Sequence, residues 1–69
     1  MPLLFASIGE EYIIKRIGGK PEIKKHLEDI GFVPGGSLTV ISRNEDNLIV
    51  RVKDSRIAIN GEMAQRIIV

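Results

Sequence analysis

The stretch Pro21-Glu22-Ile23-Lys24-Lys25-His26-Leu27-Glu28-Asp29-Ile30-Gly31-Phe32-Val33-Pro34-Gly35-Gly36 decides how this chain folds. It holds the one convincing helix, Pro21 to Ile30, with both boundaries written into the residues. Pro21 suits the first helical position, because its missing N–H would have no intrahelical partner there. Glu22 puts negative charge where the helix dipole favours it. Ile23, Leu27 and Ile30 recur at i, i+4 and i+7 as a narrow apolar stripe, with Lys24, Lys25 and Glu28 on the other side. Gly31 then offers the left-handed conformation that ends a helix, and Phe32 just beyond it can reach back to Leu27. Val33-Pro34-Gly35-Gly36 carries Pro and Gly where a type II turn prefers them.

Outside this stretch the pattern is that of short strands. Glu11 to Ile17 is rich in β-branched and aromatic residues, with Tyr12 and Ile14 on one face. Ile17 falls out of that alternation, which predicts a bulge or bend near Lys15-Arg16. Downstream of the turn, Leu38, Val40 and Ser42 share a face. Leu48, Val50 and Val52 alternate with Ile49, Arg51 and Lys53, and Ile57 and Ile59 alternate with Arg56, Ala58 and Asn60. The connections Asn44 to Asn47 and Asp54-Ser55 are short enough for hairpins. Asn60-Gly61 fits either a hairpin turn or a helix start; the helix formers Glu62 to Gln65 favour Asn60 as the N-cap of a short helical turn. Ile67-Ile68-Val69 supplies a last strand. The order β, α, β, β, β, short turn, β predicts a mainly β domain over residues 1–69. Its expected form is a small five-stranded barrel with one inserted helix and a short helical turn before the final strand.

A chain of 69 residues is enough for one domain and too small to enclose a large site. With no Cys, disulfides and thiolate zinc sites are excluded. A net charge of +1 gives no strong long-range field toward nucleic acid or an anionic membrane. The apolar start, Met1 to Ser7, lacks a basic n-region and is too short for a signal peptide core. No segment approaches the roughly 20 apolar residues that span a bilayer, so the expectation is a soluble, cytoplasmic protein.

The run Leu27-Glu28-Asp29-Ile30-Gly31-Phe32-Val33-Pro34-Gly35 resembles the signature of the FeoA family, a Leu followed by an apolar-Gly-apolar-x-Pro-Gly stretch. Arg56-Ile57-Ala58-Ile59 is similar to the family's penultimate strand, Ala64 with Ile67 and Val69 to its closing Ala-x-x-Ile-x-Val, and Gly9-Glu10-Glu11-Tyr12 to its usual opening. The likeness covers nearly the whole chain. It departs at Phe32, where the family more often has Leu or Met, and at the short Gly18-Gly19-Lys20 lead into the helix. The resemblance implies an SH3-like barrel and a non-enzymatic accessory role in ferrous iron transport. It further implies binding to the cytosolic region of FeoB, the membrane transporter of Fe(II). A similar domain closes some metal-dependent repressors of the DtxR class, but nothing N-terminal here could form their helix-turn-helix.

The residues themselves mark out no chemistry. Ser7, Ser37, Ser42 and Ser55 have no spaced His–Asp companion. Gly18-Gly19-Lys20 lacks the glycine spacing and the Ser/Thr of a phosphate loop and reads as a strand-to-helix turn. His26, the single histidine, could share a metal with Glu22 at i, i+4, but two ligands are too few and no third is signalled. A boundary histidine with a hydrogen-bonding partner is the favoured reading. No catalytic residue, metal ligand or cofactor is therefore expected. What remains is an outer surface: Phe32 and Val33 as an apolar centre of partner contact, with Lys24 and Lys25 as charged rim. A nucleic-acid-binding barrel is the alternative. Lys15, Arg16, Lys20, Lys24 and Lys25 cluster in the first half, and Arg51, Lys53 and Arg56 at one hairpin, although few aromatics offer stacking platforms. Direct carriage of Fe(II) is a third possibility.

Overall fold

The computed structural model describes residues 1–69. Its elements run from a 3₁₀ turn at Leu3–Phe5 through β1 (Glu11–Ile13), β2 (Arg16–Ile17), α1 (Pro21–Ile30), β3 (Ser37–Asn44), β4 (Asn47–Val52) and β5 (Ser55–Asn60) to α2 (Gly61–Arg66) and β6 (Ile67–Ile68). The strands form an antiparallel four-stranded sheet in the order β1-β3-β4-β5 and a two-stranded sheet pairing β2 with β6. The expected first strand is thus divided. Ile14 and Lys15 carry the chain from one sheet to the other, so there are six strands where five were expected. No ladder joins the two sheets into a continuously bonded barrel. They enclose one core all the same, and the arrangement is SH3-like.

Helix α1 ends as its residues require. Gly31 adopts φ 131°, and its N–H donates to the carbonyls of Glu28 and Leu27. The Phe32 N–H donates to the Leu27 carbonyl at 2.9 Å, completing the cap. A Cβ on Gly31 would meet only Val52 Cγ1, at an ordinary 3.5 Å. The positive φ is therefore the whole obstacle to a side chain, and Gly31→Ala should cost about 1–2 kcal/mol. Urea unfolding checks this. A loss of only a few tenths would mean that the helix end has another low-energy form. The turn that follows is bonded from Gly36 N–H to Val33 carbonyl at 2.9 Å, with Gly35 at φ 90°. It is pinned to the end of β1 by Gly35 N–H to Ile14 O and Ile14 N–H to Gly36 O, each 2.8 Å.

Two-residue loops, Glu45-Asp46 and Lys53-Asp54, join β3 to β4 and β4 to β5. The β3–β4 register slips between Val40 and Ser42, a bulge at Ile41. Ser42 consequently pairs with Ile49 and leaves the face of Leu38 and Val40 on which strict alternation would put it. Asn60 caps α2, its Oδ1 accepting from the Met63 N–H at 2.8 Å.

Fifteen buried residues form one cluster, and none of them is polar or charged. Phe32, Leu27, Val40, Val50, Ala64 and Ile67 have no exposed surface. Leu3, also wholly covered, and Ala6 bring the N-terminal segment into the same cluster. That segment is held from several sides. Pro2 bridges to Ile68, and Val69 N–H donates to Met1 O at 2.8 Å. The Arg43 guanidinium donates to the carbonyls of Leu4 and Ala6 at 2.8 and 2.7 Å. No helix is long and apolar enough to cross a membrane.

Candidate functional site

An interior without polar side chains confines any function to the outside of the molecule. The four residues expected to meet a partner do not converge there. Phe32 is 0% exposed. Its ring fills the core beneath the helix end, so it is withdrawn from the contact surface: the backbone bond that stops α1 also turns its side chain inward. Val33, one residue on, is 38% exposed. Lys24 and Lys25 are exposed on α1. They lie at least five residues before its last residue, about 8 Å along the axis at 1.5 Å per residue. Ile30, expected on the buried stripe, is instead 37% exposed at the end of the helix.

Ile13, which the sequence did not single out, adds to the exposed apolar residues in this part of the molecule. Ile13 is 56% exposed, and the Ile14–Gly36 and Gly35–Ile14 bonds hold the residue after it against the turn that presents Val33. Ile13, Val33 and Ile30 thus emerge around one junction of β1, the turn and α1. The signal was available in principle: Ile13 is out of phase with Tyr12 and Ile14, so an alternating strand puts it outside. A second exposed group, Phe5 at 69% and Ile8 at 54%, lies in the segment before β1.

His26 is exposed on α1 and makes no hydrogen bond, so the expected boundary histidine with a partner is not what the fold provides. No three side chains among His, Asp and Glu come together as a metal-binding group. The one surface recess lies at the β3–β4 tip, lined by Asn44, Glu45, Asp46 and Asn47 with no apolar wall. Gly18 and Gly19 form the turn from β2 into α1. Gly19, at φ 103°, lies so close to Arg66 that an added Cβ would fall 2.7 Å from its Nη1. The positive φ accounts for Gly19, since the Arg66 side chain could move aside, while Gly18 has only an ordinary 3.7 Å contact with the Arg66 carbonyl.

Comparison with known proteins bears on the whole length. A family model for the FeoA domain matches residues 1–69. The chain is 37% identical over 68 residues to "Putative Fe(2+) transport protein A" of Methanocaldococcus jannaschii, an alignment covering 99% of this chain and 83% of that protein. Among solved structures it is similar to the crystal structure of the iron uptake regulatory protein FeoA, with TM-score 0.89 and 26% identity over 97% of this chain and 91% of the other. The zinc-complexed FeoA of Stenotrophomonas maltophilia, described as a procaryotic SH3 domain protein, superposes with TM-score 0.85 at 20% identity, covering 99% and 87% of the two chains, which speaks for the fold alone. On the family match and the M. jannaschii relative together, this chain belongs to the FeoA family.

Proposed function

We propose that this domain is a non-enzymatic accessory protein of ferrous iron transport that docks on the cytosolic region of a FeoB-like transporter. Membership of the FeoA family supports the first half of that reading, as does the Fe(2+) transport name of the M. jannaschii relative. The observation that carries the second half is a wholly apolar interior combined with exposed Ile13, Ile30 and Val33 at one junction. A domain built this way has no room for chemistry and an apolar centre free for a partner. Lys24 and Lys25, exposed on α1 at least five residues before its end at this junction, supply outlying charge that steers association more than it adds affinity. The partner's location puts the domain on the cytoplasmic side. Of the three aromatic rings only Phe5 is exposed, so the surface offers no row of stacking platforms for bases.

The test is an NMR titration of the domain with the transporter's cytosolic region, with Fe(II) and an RNA oligomer in parallel. Amide shifts should gather at Ile13, Ile30 and Val33. Lys24→Glu with Lys25→Glu should leave the fold intact and weaken docking by about tenfold, the order expected of two reversed rim charges. Unchanged affinity would remove the two lysines from the docking surface. Loss of affinity for the transporter with no shift at the junction would relocate the apolar centre.

A further inference from the structure

Strand β5 ends the four-stranded sheet, and only one of its edges is used. All six of its residues are in register with β4, from Val52 opposite Ser55 to Asn47 opposite Asn60. Backbone bonds outside helices and ladders involve none of residues 55–60. Apart from the Asn60 carbonyl, which as N-cap accepts the first bond of α2, the outward N–H and C=O groups of alternate β5 residues therefore have no neighbouring strand. A six-residue open edge is a template for one more strand.

The outer face beside this edge is basic. Arg51 and Arg56 are directly opposite one another across the β4–β5 ladder, both exposed. Like charges in that position oppose folding. Neither guanidinium donates a hydrogen bond to the chain, and the one ion pair in the molecule joins Arg66 to Glu62 instead. Glu11 lies in the same cross-strand row but two strands from Arg51, with Thr39 between them. Exposed Lys53 adds to the charge, with Asp54 beside it in the loop. On the inner face of β5, Ile57 is half-buried and Ile59 buried.

We infer that the open edge of β5 accepts an extended segment of a partner protein in which carboxylates alternate with β-branched apolar residues. Main-chain bonds to β5 supply the attachment. Carboxylates on the outer face meet Arg56, the arginine on the neighbouring strand, and apolar side chains on the inner face extend the sheet beside Ile57. The charge decides the occupant. A second copy adding through β5 would bring another Arg56 to the same face, whereas an acidic strand neutralises an opposition the domain itself leaves unrelieved. This surface is separate from the junction of Ile13, Ile30 and Val33, and its test does not involve the transporter, so the two readings fail independently.

The full chain is titrated with a short peptide alternating Glu and Val, followed by amide NMR and hydrogen exchange. Three further probes run beside it: a Lys–Val peptide, the Glu–Val peptide N-methylated throughout, and an RNA oligomer at the same salt. The Glu–Val peptide should shift the amides of Ser55–Asn60 and protect the outward ones from exchange. N-methylation keeps every carboxylate but removes every N–H, and should weaken binding at least about tenfold, since several main-chain bonds are lost together. Arg56→Glu should lower affinity for the Glu–Val peptide several-fold and transfer the preference to the Lys–Val peptide. It should also raise the unfolding midpoint, because Arg51 then faces a carboxylate. Arg56→Ser should fall between. The inference is overturned by shifts centred away from β5, by equal binding of the N-methylated peptide, or by RNA binding more tightly than the Glu–Val peptide. Concentration-dependent protection of β5 without any peptide would also overturn it, since a second copy would then hold the edge.

Discussion

Phe32→Ala should leave much of the protein unfolded at room temperature. The ring is completely covered, and removing a buried Phe typically costs about 3–5 kcal/mol once the cavity is counted. A domain of this size has a net stability of the same order, so little margin remains. Circular dichroism during urea unfolding provides the readout. Phe32→Leu, which keeps a large apolar side chain in the same place, should cost about 1 kcal/mol and keep a cooperative transition. A Phe32→Ala protein with a near-native midpoint would put the ring outside the core and return it to the contact surface.

Leu3→Ala should be the other severe change, at about 2–5 kcal/mol, though it lies in a short turn close to the start of the chain. Leu3 is wholly covered, whereas Phe5 in the same turn is 69% exposed. Phe5→Ala should therefore stay within about 0.5 kcal/mol of the parent protein, as exposed substitutions usually do. The pair measured together isolates burial from local conformation, since both residues occupy one 3₁₀ turn. If both variants unfold at the parent's midpoint, the first six residues are not part of the cooperative unit.

What could be read from the residues was what neighbouring residues determine. Helix α1 has Pro21 at its first turn and Gly31 with Phe32 at its end, so start and stop need no information from elsewhere. The Val33–Gly36 turn and the Asn60 cap are equally local. The features that escaped depend on contacts distant in sequence. Leu3 and Ala6 show no strand or helix period, and their segment is fixed by Arg43, which donates to the carbonyls of Leu4 and Ala6, 39 and 37 residues before it. The switch of sheets at Ile14-Lys15 was legible as a bend but not as a division, because Lys15 N–H finds its partner in Ile68 O. Of the residues proposed for partner contact, Lys24, Lys25 and Val33 were legible as exposed positions. Phe32 was misplaced because one residue cannot both complete the helix cap and face solvent. Alternation along β1 puts Ile13 outside, but nothing local to it says that its neighbours in space are also apolar.

The bulge at Ile41 sets which face of the sheet each later residue of β3 occupies. In an unbroken pleat Arg43 would stand opposite Asn47, on the outer side with Thr39. With one extra residue it stands opposite Leu48, on the inner side, where its guanidinium can grip the first turn of the chain. Deleting a single residue there would reverse the parity of the strand tip, swing that cation into water and release the lid it fastens over the hydrophobic interior. The length of β3, counted to the residue, is therefore part of what seals the fold.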